Sequence, residues 1–146
     1  NVGILTSLIK KSLLKKSKIT FNDKYNIIGD YDFFLRLSNE YKFKFLNEPI
    51  ATYRIHHHNL SFLRRDLHIK EFFYWNKKNK KKLTKIDYLE INRKIKNLEF
   101  VNIKISKNFF HAFFYFLKSI KSLISLKNIV ILFTPSLILK RYMWFV

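Results

Sequence analysis

GDYDFFLRLSNEY, residues 29–41, is the stretch on which the reading of this chain turns. Asp30 and Asp32 stand just ahead of Phe33, Phe34, Leu35 and Leu37, whose spacing is helical, not alternating. A carboxylate at a helix start accepts hydrogen bonds from backbone N–H groups that have no intrahelical partner, and it complements the helix dipole. One of the two aspartates is therefore expected to cap a helix.

Outward from this helix the pattern changes. Residues 3–9 (GILTSLI) form a short apolar run with β-branched members and read as a strand, and KKSLLKKSK after it reads as a brief surface helix or turn. Downstream, residues 42–46 (KFKFL) alternate with period two, Pro49 interrupts, and residues 50–55 (IATYRI) resume the alternation. This predicts two short strands around a turn.

The chain has 146 residues, a length that suits one modest core. It is 48% hydrophobic with 16 Phe, which excludes extensive disorder. The absence of Cys excludes a disulfide framework, a thiolate zinc site and a cysteine nucleophile, and fits a reducing, cytoplasmic compartment. A formal charge of +19 points to anionic partners: nucleic acid, anionic lipid or phosphorylated substrates. The lysines lie among Ile, Asn and Phe, a mixture that AT-rich coding produces by itself, so charge alone does not choose among them. Residues 1–14 carry lysines within their apolar stretch and no small-residue cleavage site follows, so no secretory signal is read. The first residue is Asn1, not Met, and the chain is expected to be cut from something longer.

Residues 61–97 have helical spacing broken by the basic run 76–82 (NKKNKKK), which predicts two helices joined by a solvated loop. Residues 109–126 are strongly apolar on one side, but Lys118, Ser119, Lys121 and Ser122 interrupt them, so they read as amphipathic and not transmembrane. Residues 129–139 (IVILFTPSLIL) are followed at once by Lys140, Arg141, Tyr142 and Trp144, which suits an interfacial segment.

Residues 21–61, FNDKYNIIGDYDFFLRLSNEYKFKFLNEPIATYRIHHHNLS, resemble the acceptor-side module of family 2 glycosyltransferases. The resembling pieces occur in order: Phe21, Asn22 and Asp23; the acidic helix start, Asp30 and Asp32; Arg36 within the helix; Glu48 and Pro49; and the ending Tyr53, Arg54, His56, Asn59 and Ser61. The resemblance implies the C-terminal part of a Rossmann-like, α/β nucleotide-diphospho-sugar transferase fold, followed by a mainly helical region. With the hydropathy pattern after it, the chain is expected to divide into an acceptor-side part at 1–61, a helical extension at 62–108 and an amphipathic, membrane-associated region at 109–146.

The activity implied is inverting transfer of a sugar from a nucleotide-sugar donor to a polysaccharide, lipid-linked or protein acceptor. Such a transfer needs a base within hydrogen-bond reach of the acceptor hydroxyl. Asp30 matches the last acid of the family's Glu-Asp pair, although Gly29 stands where the family has Glu. Asp32, two residues on, faces away and is assigned to capping or holding the helix start. Arg36, Arg54, His56 and Asn59 are the candidate substrate-binding residues; Arg36 can equally pair with a carboxylate in the core, and Arg54 with Glu48. His56 alone of His56, His57 and His58 matches the family position, and it is also a candidate metal ligand.

No DxD element precedes Asp30, and only 2 Gly are present, so no glycine-rich phosphate loop is available. The donor-binding half, with its divalent cation (Mg2+ or Mn2+), is therefore expected outside this sequence, and the chain alone is expected to be inactive. The alternative class is a basic membrane-surface or nucleic-acid-binding module. The aromatics Phe72, Phe73, Tyr74 and Trp75 are consecutive, as core packing explains, and no nucleic-acid-binding signature occurs, so no nucleic acid is expected. An anionic membrane surface, at the inner face of the cytoplasmic membrane, is the expected neighbour of residues 109–146.

Overall fold

In the computed structural model, residues 4–52, 54 and 59–142 are described. They fall into two compact units, Asn1–Ile55 and His56–Val146.

The first unit is built on a small apolar cluster. After a 3-10 turn at Ile4–Thr6, helix α1 (Lys11–Ser17) ends on Lys18, whose left-handed backbone (φ 56°) closes the last turn. Such a residue turns the chain out of a helix. Helix α2 (Gly29–Ser38) buries Phe33, Phe34 and Leu37, at i, i+1 and i+4 on one face, against Ile9, Leu13, Leu14, Ile19 and Tyr41. Phe21 stacks on Phe33 with ring centroids 4.3 Å apart, tying the approach segment to the same face.

The second unit is assembled around one long helix. A short α3 (Leu60–Leu63) leads into α4 (Arg65–Asn79), and α5 (Lys85–Ser106) runs 22 residues. Helices α6 (Phe109–Lys118), α7 (Ile120–Leu123), α8 (Leu126–Phe133) and α9 (Ser136–Tyr142) all pack back onto α5. Their core is Phe100, Val101, Ala112, Phe116, Leu123, Ile131, Leu132 and Leu139.

The breaks between these helices have local causes. The Thr84 hydroxyl accepts from Asp87 N–H and donates to the Asp87 carboxylate, starting α5. Asn108 accepts from His111 N–H at the start of α6, and Ser125 from Asn128 N–H at the start of α8.

This architecture corrects the expected α/β fold. Every regular element among the described residues is helical and no β-strand occurs there. Residues 3–9 were expected to form a strand; Ile4–Thr6 make a 3-10 turn instead. Described residues of 42–46 and 50–55 carry no ladder, and Phe43, Phe45, Leu46 and Ile50 are exposed. Period-two alternation states which side chains share a face, but a strand forms only when its N–H and C=O groups find a neighbouring strand.

The helical expectations differ in their bounds. Helix α4 runs on into the basic run as far as Asn79, and the loop is confined to residues 80–84. The single amphipathic segment expected at 109–126 is divided into α6 and α7. No helix among the described residues is long and apolar enough to cross a membrane.

Candidate functional site

The start of α2 separates its two aspartates by environment. Asp32 is 6% exposed, and its Oδ2 receives both Nε and Nη2 of Arg36 at 2.9 Å, one helical turn on. Arg36 Nη2 also donates to the Thr20 carbonyl at 2.6 Å, which fastens α2 to the segment that precedes it. A buried carboxylate is tolerated because this guanidinium neutralises it and meets its hydrogen-bonding capacity.

Asp30 has no such partner. It is half-buried, its Oδ1 accepts from the backbone N–H of Tyr31 at 2.8 Å, and no cation pairs with it among the described residues. Neither aspartate occupies the N-cap, which falls on Ile28 without a side-chain cap bond. Asp30 is thus the second residue of α2, in its first turn. A side chain in place of Gly29 would meet only the Phe21 ring, at 3.9 Å, so space does not hold that position to glycine.

The other candidates are distributed differently. Arg54 and Glu48 are both exposed, and no ion pair joins them among the described residues. His56, the candidate metal ligand, lies outside the described residues, as do Tyr53, His57 and His58. Asn59 belongs to the second unit, at the N-cap of α3, where its carbonyl accepts from Leu63 N–H at 3.0 Å and its side chain makes no cap bond. Among the described residues, no group of three or more His, Asp and Glu is placed to hold a metal ion. One helix therefore brings together Asp30, Asp32 and Arg36.

Polar features of the second unit had no place in the sequence reading. Asn76 donates through Nδ2 to Asn92 Oδ1 at 3.0 Å, while its own buried Oδ1 has no partner among the described residues. These amides line a cleft of about 370 Å³ with Phe73, Lys77, Lys80 and Tyr88. The Tyr115 hydroxyl donates to the Glu99 carboxylate, and burial, together with that negative charge, pushes the phenol well above its ordinary range. Lys104 is 5% exposed with its Nζ 5.1 Å from the Phe109 ring centre, and burial lowers its pKa.

Compared with protein-family models, with curated proteins and with solved structures, the chain matches none.

Proposed function

We propose that this chain supplies the acceptor-side base of an inverting glycosyltransferase, with Asp30 as the catalytic residue. The observation that carries the proposal is the unequal fate of the two acids at the start of α2. Asp32 is buried and neutralised by Arg36, whereas Asp30 is half-buried and, among the described residues, accepts one hydrogen bond, from the Tyr31 N–H. A group that accepts a proton from an incoming hydroxyl must have a lone pair available and be reachable, and of the pair only Asp30 meets both conditions.

In the proposed step the acceptor hydroxyl hydrogen-bonds to Asp30. As its oxygen attacks the anomeric carbon of the donor sugar, the proton passes to the carboxylate. The bond from that carbon to the diphosphate breaks on the opposite face, and the nucleoside diphosphate leaves with the electron pair. Asp32 and Arg36 are positioning residues that fix the first turn of α2, and Arg54 and Asn59 are assigned to acceptor or diphosphate contacts.

The ordered resemblance over residues 21–61 supports this reading, and no DxD element occurs between Asn1 and Asp30. The chemistry proposed for this chain is proton transfer. The proposed acceptor is a glycan or a lipid-linked or protein substrate in the cytoplasm, at the inner face of the membrane.

The test is sugar transfer by a polypeptide that joins this chain to a donor-binding half, read as nucleoside diphosphate release. Asp30→Asn should slow transfer by about a hundredfold or more, the scale of a lost general base. Turnover at the wild-type rate in that variant would refute the assignment.

A further inference from the structure

The C-terminal helices bury one apolar face and expose another. On α8, Asn128, Ile131 and Leu132 are buried, while Leu126, Ile129, Val130 and Phe133 are exposed. The exposed set sits at i, i+3, i+4 and i+7, the spacing of a complete helix stripe, so α8 carries a second apolar face that the described residues leave largely exposed. Helix α6 repeats the arrangement: Ala112 and Phe116 point into the core, and Phe110, Phe114 and Leu117 point out. The two outer faces are joined through Phe109, whose ring lies 6.2 Å from Phe133 and 5.9 Å from both Phe110 and Phe113. Leu137 and Ile138 of α9 are exposed as well.

An exposed surface this apolar marks a contact with another phase or molecule. The charge around it names the occupant. No acidic residue follows Glu99, whereas Lys104, Lys107, Lys118, Lys121, Lys127, Lys140 and Arg141 all do. Lys118 lies one turn beyond Phe114, and Lys127 one turn before Val130, so exposed cations border the apolar stripes. A second copy of a chain with net charge +19 would bring like charge to like. Nucleic acid offers phosphates and base faces that stack on aromatic rings, but no hydrocarbon to receive the aliphatic Leu126, Ile129 and Val130.

We infer that the outer faces of α6 and α8 dock on an anionic lipid bilayer, with the phenylalanines in the headgroup–acyl boundary and the lysines among the headgroups. This is the geometry of an amphipathic helix lying in the membrane plane, and it agrees with the lack of a spanning helix among the described residues. It stands apart from Asp30, since vesicle binding can be read without any transfer assay.

The experiment is flotation of the full chain with vesicles of phosphatidylcholine alone or with about a third phosphatidylglycerol. The wild-type chain should float with the anionic vesicles, several-fold less with the neutral ones, and less as salt is raised. A triple variant, Phe110→Ser, Phe114→Ser and Phe133→Ser, should lose at least about tenfold in vesicle binding, because each residue buries a large apolar side chain in lipid. These residues are 66%, 67% and 68% exposed, so its helical circular dichroism should match the wild type. A charge-reversed variant, Lys118→Glu, Lys121→Glu and Lys127→Glu, leaves every apolar contact in place and should lose the preference for anionic vesicles. Wild-type protein that stays at the bottom of the gradient with both vesicles would overturn the inference. So would a folded triple variant that floats as well as the wild type, or a wild-type dimer in light scattering that the triple variant converts to monomer.

Discussion

Helices α2 and α8 are both short and rich in apolar side chains, yet they use them in opposite ways. In α2 the bulky residues Phe33, Phe34 and Leu37 are all buried, and the charged residues Asp30, Asp32 and Arg36 give the helix its distinctive chemistry. In α8 one stripe is buried and a second, equally apolar stripe faces outward. The apolar face of α2 is satisfied by its own unit, so what α2 offers to another molecule is charge. The outer face of α8 is not, so what it offers is apolar surface. Counting hydrophobic residues does not separate the two; only the angular distribution of burial does.

The contrast can be broken most easily at one phenylalanine from each helix. Phe34 is 5% exposed and Phe133 is 68% exposed. Phe34→Ala should cost about 3–5 kcal/mol in denaturant unfolding of the first unit, whereas Phe133→Ala should stay within about 0.5 kcal/mol. Equal costs would mean that α8 is covered by this chain after all.

Asp32→Asn sharpens the same contrast from the charged side. It removes the charge from a buried acceptor of Arg36 and should destabilise by about 2 kcal/mol in urea titration. A smaller and pH-dependent effect belongs to Tyr115. Its pKa is raised in the folded chain, by burial first and by Glu99 second, so the neutral phenol is favoured by folding. That contribution is fully present below the ordinary phenol value of about 10 and is lost as pH rises above it toward the folded value. In melts across this range Tyr115→Phe should lose less stability than the wild type, which places the alkaline fall on this phenol.

How much of this was legible in the sequence depends on whether a local or a tertiary cause decides each element. Helix α2 was legible because four apolar residues follow two acids at helical spacing. The helix starts at Thr84, Asn108 and Ser125 were written locally too, in a polar cap residue ahead of each helix. The ion pair of Asp32 with Arg36 is a plain i, i+4 spacing, but measuring Arg36 from Asp30, six residues away, hides it. The alternation at 42–46 and 50–55 was misleading because period two describes a face and says nothing of a strand partner. The second stripe of α8 was present as Leu126, Ile129, Val130 and Phe133, but telling it from the buried stripe requires knowing which side α5 occupies. The tertiary cleft around Asn76 and Asn92 had no linear signature, since its residues come from two helices.

The central claim, that Asp30 acts while Asp32 holds the helix, is tested most directly by measuring transfer and melting together in Asp30→Asn, with the chain joined to a donor-binding half. The account predicts transfer lowered about a hundredfold or more and a melting midpoint unchanged from wild type. Unchanged transfer, or a loss of transfer that merely follows a collapse of the fold, would contradict it.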